Sequence, residues 1–301
     1  MPELAVICLR LVQYGAASIL TGSALFFAYG LPAAGPAAPG KLPWAKPLLA
    51  IAAIVLAVAA ILGLVAQTAL LAGSVMEALR PESLEAVLTS MDFGKAAIVR
   101  AGLSCLAAVL LFIGGRGRST WIATGILGAL ATTTIAWMGH GATTEGEGHV
   151  IHLAADILHA LAAAVWLGAL LVFVLLVRQK KQSPEQLQAT REALRKFSPV
   201  GIAVVATLLI TGLANTWFLV DFANGLQSPY ARLLLVKVAL FAGMVALAAL
   251  HRQRSVPALA SGLSVGEDAL KSLRRSLVVE GALGFTVLAL VAWLGTLSPL
   301  G

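Results

Sequence analysis

Residues 47–72 read PLLAIAAIVLAVAAILGLVAQTALLA, and the reading of this stretch decides the fold. It carries no charged residue and exceeds the ~20 apolar residues that a helix needs to cross the hydrocarbon core of a bilayer. Lipid offers the backbone no hydrogen-bonding partner, so a segment of this kind satisfies its own amides as an α-helix. The same ruler marks further spans at about Leu4 to Gly30, Lys95 to Ile113, Thr120 to Met138, Val150 to Val177, Pro199 to Val220, Tyr230 to Leu250 and Ser276 to Leu297. The expected fold is therefore all-α: a polytopic transmembrane bundle of about eight spans, forming a single transmembrane domain over residues 1–301.

Composition agrees. Of 301 residues, 59% are hydrophobic and 12% charged, and the mean hydropathy is +0.91, well outside the range of soluble domains. The net charge of +7 does not read as a nucleic-acid footprint, because the basic residues gather in short segments between apolar runs. The largest are 178–198, with Arg178, Lys180, Lys181, Arg191, Arg195 and Lys196, and 251–275, with Arg252, Arg254, Lys271, Arg274 and Arg275. The positive-inside rule places both on the cytoplasmic side of a membrane that the chain spans many times. With eight spans, both termini and the loop 139–149 then face the periplasm. The first run reads as a retained span rather than a cleaved signal, since it is long and carries Arg10. ESLEAVLTSM, within 82–91, has the spacing of a short interfacial helix on the periplasmic side. Cys8 and Cys105 lie apart in different spans and read as buried free thiols.

Four of the five histidines fall in one short segment, WMGHGATTEGEGHVIHLAADILHAL, residues 137–161. His149, His152, Asp156 and His159 recur at three- and four-residue intervals, which lines them along one stripe of a helix entering the membrane. His140 closes the preceding span beside Met138, and the turn between can bring His149 or His152 back toward it. Neutral imidazole suits copper, zinc, nickel or iron, and a thioether favours Cu(I). Glu145 and Glu147 add acidic attraction at the entrance. His159 lies about 15 Å along the helix axis from His149, so the two cannot hold one ion on a straight helix. A surface capture site followed by a deeper relay fits the spacing, as does a set of interfacial caps with no metal at all.

Other ionisable residues lie inside spans, where each costs at least ~2.5 kcal/mol on insertion scales unless it faces protein or water. Arg10, Arg100, Asp156 and Lys237 fall roughly 8 to 12 Å below the periplasmic boundary and are candidates for one polar layer, with Asp156 pairing with a cation. Glu280 lies deeper, toward the cytoplasmic end, and is a candidate for meeting cytoplasmic arginines or lining an inner exit. Thr211 and Asn215 sit one helical turn apart and offer polar stations along a path or hydrogen bonds across the bundle. No nucleophile arrangement or metalloprotease signature is present, so the expectation is a protein that is not an enzyme. A b-type haem between His140 and His152 is the alternative cofactor, which would make the protein a membrane redox carrier.

Four segments carry a family resemblance: HLAADILHALAAAVWLGALLVF, KFSPVGIAVVATLLITGLANTWF, YARLLLVKVALF and LRRSLVVEGALGFTVLALVAWLGTLSP. In this order they resemble the copper resistance protein D (CopD) family. The likeness runs from near His140 to Pro299, while the first hundred residues match mainly as hydrophobic spans. It implies an inner-membrane protein that moves copper ions from periplasm toward cytoplasm, often beside a periplasmic copper-binding donor protein. On this sequence its motifs fall on His159, Trp166, Gly168, Phe197, Ser198, Thr211, Gly212, Asn215, Tyr230, Lys237 and Glu280. Trp166 and Gly168 read as packing residues. No CopC-like copper-binding domain is read here, so the donor is expected to be a separate protein. A copper scaffold or chaperone that does not transport is the remaining alternative.

Overall fold

The computed structural model describes residues 2–139, 146, 148–178, 183–220, 228–250, 253 and 263–297, and among these every regular element is helical. In chain order they are α1 (Pro2–Ser18), a π-helical turn (Ile19–Ser23), α2 (Ala24–Tyr29), α3 (Ala45–Ala72), α4 (Val75–Ala78), α5 (Pro81–Ser90), α6 (Asp92–Ile113), α7 (Arg118–Thr133) with a 3₁₀ extension (Thr134–Met138), α8 (His149–Val177), α9 (Pro184–Leu219), α10 (Pro229–Leu250) and α11 (Leu263–Leu294). Eight helical stretches are long and apolar enough to cross a membrane, the first formed by α1, the π turn and α2 together. The chain is a multi-pass membrane bundle. One end carries Gly139, His149 and Leu219 and is called here the histidine end; the other carries Lys41, Arg116 and Arg178 and is called the basic end.

Small residues set the packing. Where the π turn crosses α8, a Cβ on Gly22 would meet the Ala164 carbonyl oxygen at 2.0 Å, and one on Gly168 would lie 2.5 Å from the Gly22 Cα. Only glycine lets two backbones approach this closely, and in lipid, where no hydrophobic effect drives helices together, such contact supplies much of the attraction. Ser23 Oγ donates to the Gly168 carbonyl at 2.9 Å, and Thr21 and Thr132 share a 2.9 Å hydrogen bond between the π turn and α7. The π turn thereby joins α7 and α8 at the centre of the molecule. Toward the basic end, Phe26, Phe173 and Phe197 stack edge to face, tying α2, α8 and α9.

Interfacial chemistry ends the spans. α3 stops at Gly73, whose φ of 80° is the left-handed conformation that favours glycine after a helix. α5 confirms a helix within the 82–91 segment: it lies between α3 and α6 with Val87 buried against Leu64 and Ala97. Two expected boundaries move. The basic segment 178–198 is not a loop along its length, because Ser183 and Gln186 form a capping box that starts α9 at Pro184, and the helix runs through Pro199. The last helix likewise begins at Leu263, ahead of Ser276, so part of 251–275 is helical. Both cysteines are exposed on the outer surfaces of their helices, correcting the expectation of buried thiols.

Candidate functional site

The polar stripe of α8 is matched rung by rung on α9. Antiparallel helices hold a constant register, so as α8 runs 152, 156, 159, its partners on α9 run 218, 215, 211. The His152 ring stacks on Phe218 with centroids 4.9 Å apart and planes 13° from parallel. Asn215 Nδ2 donates to Asp156 Oδ1 at 2.6 Å, and His159 Nδ1 lies 2.9 Å from Thr211 Oγ1. The Thr211 hydroxyl has one proton, which goes to the Thr207 carbonyl at 2.6 Å. Toward His159 it can therefore only accept, which makes His159 the Nδ1–H tautomer and leaves the lone pair on Nε2. An imidazole oriented in this way is prepared to ligate a metal ion.

Asp156, Asn215 and His159, though not the His152–Phe218 rung, border a cavity of about 370 Å³ lined by α1, α7, α8, α9, α10 and α11. It runs from Gly139 and Gly295 at the histidine end to Trp166, Phe241 and Met244 past the middle of α8. Its polar groups include Asp156, His159, Asn215, Tyr230 and Lys237, with Tyr14, Ser18, Thr132 and Thr216, and most of the remaining wall is apolar. Beyond the Trp166 floor, the indole Nε1 donates to Glu280 Oε1 at 2.9 Å. Glu280 is 2% exposed and faces the bundle interior from α11. Trp166 thus does more than fill space, whereas Gly168 is the packing residue its type suggested.

The four charges expected in one polar layer divide into two groups. Asp156 and Lys237 line the cavity. Arg10 donates Nη1 to the Gly295 carbonyl just past the end of α11, binding the first span to the last. Arg100, 1% exposed, donates Nε to Thr134 Oγ1 at 2.9 Å, Nη2 to the Thr134 carbonyl at 2.7 Å, and Nη1 to Gln13 Oε1 and to Met138 Sδ. Both guanidiniums are thus held by neutral acceptors. The ion pairs among the described residues, Arg80–Glu77, Lys95–Asp92 and Arg195–Glu192, are local surface contacts.

Of the candidate ligands, His140, with Glu145 and Glu147, lies outside the described residues, so the site combining it with His149 or His152 and the haem pair His140–His152 are not placed. His149 begins α8 at the histidine end, and His152 is fully buried one turn further in; neither lines the cavity. Among the described residues no three of His, Cys, Asp and Glu converge as a metal cage. Met138 sulfur faces Arg100 at 2.7 Å, a cation where a metal was expected. Sequence reading passed over Gln13, Tyr14 and Thr134. For Gln13 and Tyr14 the signal was a polar stripe in the first span, Arg10, Gln13, Tyr14, Ser18 and Thr21 at helical spacing; Thr134 stands in a run of three threonines, 132–134, on the fourth span.

Comparison with known proteins adds a second line of evidence. Residues 1–150 match the family model for the copper resistance protein D-like N-terminal domain, and residues 191–294 match that for copper resistance protein D. Copper resistance protein D of Pseudomonas syringae pv. tomato is 33% identical over 299 residues, 97% of this chain and 96% of the relative. The chain belongs to the copper resistance protein D family. Copper transport protein CutJ of Bacillus subtilis strain 168 is 31% identical over 158 residues, 52% of this chain but 27% of that protein. Inner membrane protein YebZ of Escherichia coli K12 is 30% identical over 165 residues, 55% of each chain. No solved structure matches.

The family likeness therefore extends over the first spans, further than motifs in the second half alone suggested. Arg10, Arg100, Met138 and the loop histidines fall within the N-terminal copper resistance protein D-like region, and Thr211, Asn215, Lys237 and Glu280 within the C-terminal one. Asp156 and His159 lie on α8 between them, so the cavity is assembled from both regions.

Proposed function

We propose that this protein moves copper ions across the bacterial inner membrane, from periplasm toward cytoplasm, without enzymatic turnover. The observation that carries this reading is the cavity whose wall holds Asp156 with Asn215 and, one turn deeper, His159 with Thr211. Each level offers one or two ligand atoms rather than a closed cage, and an ion held weakly at successive levels can be released onward. His149 and His140, with the acidic loop, serve as the entrance. His159 Nε2 receives the ion at depth, and Glu280 beyond Trp166 continues the polar path. A periplasmic copper-binding protein is the proposed donor, and the membrane potential acting on the ion's charge is the proposed driving force. The family relationship supports copper as the cargo.

Lys237 favours a second reading, because an ammonium on the same cavity wall opposes a passing cation. In that reading the protein holds copper and hands it to a partner without conducting it. Copper accumulation and copper binding, measured together on proteoliposomes, distinguish the two. Transport predicts accumulation by the wild type that falls to the level of protein-free vesicles in His159→Ala. Holding predicts bound copper with no accumulation in either protein.

A further inference from the structure

At the basic end lies a second cavity, of about 540 Å³, remote from the histidines and unused by the copper path. Four cations line it from separate parts of the chain: Lys41 after α2, Arg116 and Arg118 around the start of α7, and Lys196 on α9. Among the described residues no carboxylate lines it. Two hydrogen bonds fix the loops that shape it: Arg116 Nη1 to the Gly40 carbonyl at 3.2 Å and Lys46 Nζ to the Gly114 carbonyl at 2.9 Å. Lys41, Arg116 and Arg118 are exposed at its mouth and Lys196 is half-buried, so four like charges meet over one cleft and attract an anion.

Two further features point to an oxyanion. Tyr29 lines the cavity, and its hydroxyl is buried with no hydrogen-bond partner among the described residues. A buried hydroxyl left unsatisfied is costly, and one in a cationic pocket is satisfied by a ligand oxygen. α7, sixteen residues long, begins at the rim with no side chain capping its first-turn amides after Gly117, so its N-terminal dipole adds positive potential. The remaining wall is aromatic and apolar, with Trp121 fully enclosed. Tryptophan and tyrosine beside basic side chains mark the level where headgroups meet acyl chains, and the space exceeds what a lone phosphate fills.

We infer that this cavity binds the phosphate-bearing headgroup of an acidic phospholipid, its phosphate held by Lys41, Arg116, Arg118, Lys196 and the Tyr29 hydroxyl. The lipid would neutralise the cluster and seat the 30–44 loop and the α7 start on the membrane surface.

The test titrates full-length protein in mild detergent with phosphatidylglycerol or phosphatidylcholine and follows bound lipid by native mass spectrometry. Phosphatidylglycerol is expected to bind the wild type more tightly. Removing two charges in the Arg116→Gln/Arg118→Gln double variant should weaken it about 30-fold. Tyr29→Phe, which deletes one hydroxyl and leaves the packing, should weaken it about tenfold and serves alone if the double variant does not fold. Equal binding of the two lipids, or wild-type affinity in Tyr29→Phe and the double variant, would overturn the proposal. Displacement of phosphatidylglycerol by an equimolar amount of inorganic phosphate would assign the site to a soluble anion and also overturn it.

Discussion

His159 gains its chemical identity from a hydroxyl on another helix. The proton of Thr211 is spent on Thr207, so the histidine must donate from Nδ1 and present Nε2 to the cavity. Thr211→Val removes that acceptor at nearly constant volume. The expected results are a ring ¹⁵N spectrum of His159 showing mixed tautomers and a fall in copper uptake of about tenfold, the scale at which outer-shell partners of metal-ligating histidines act. Arg100 is the structural counterpart, binding α1, α6 and the end of α7 through neutral acceptors. Arg100→Met should destabilise the detergent-solubilised protein by about 3 kcal/mol in a denaturant titration, since it deletes several charge-assisted bonds and strands Gln13 and Thr134. Sequence reading found both residues but not their partners. An ionisable group in an apolar span is visible because it is rare, whereas a backbone carbonyl such as that of Thr134, or a threonine on the next span, carries no charge to betray it.

At the scale of elements, the spans were legible because membrane thickness imposes a length and lipid imposes helix. The stripe on α8 was legible from its spacing, and Thr211 and Asn215 stood out as a polar pair one turn apart. That the two sets meet in register was not, because register belongs to packing between helices. The start of α9 was misplaced at Pro199 because a basic amphipathic helix lacks the apolar signal of a span, although S-P-E-Q at 183–186 spelled its capping box. The π turn had no sequence signature, yet its crossing with α8 makes a sharp prediction about glycine. Gly168→Ala drives a methyl into the backbone of Ser18 and Gly22 and should abolish accumulation of folded protein in membranes. Gly102→Ala, on α6 with nothing within 4 Å of the added carbon, should raise thermal stability by up to about 1 kcal/mol through helix propensity. Size-exclusion profiles and melting curves of the two variants test the contrast.

For the whole molecule, an even number of spans brings the beginning of α1 and the end of α11 to the histidine end, opposite Lys41, Arg116, Arg118 and Arg178. With the basic end in the cytoplasm, reporters fused at both termini should show periplasmic activity, and a cytoplasmic signal from both would reverse the proposed direction of entry. In the proposed orientation the cavity would face the periplasm, with Trp166 at its far end and Glu280 beneath. The most direct test of copper movement is accumulation of the metal in proteoliposomes of defined protein orientation, comparing wild type, His159→Ala and protein-free vesicles under an inside-negative potential. The account predicts wild-type uptake well above the vesicle background and His159→Ala uptake near it, with both proteins folded. Wild-type uptake no greater than that of empty vesicles, or His159→Ala uptake equal to the wild type, would contradict it.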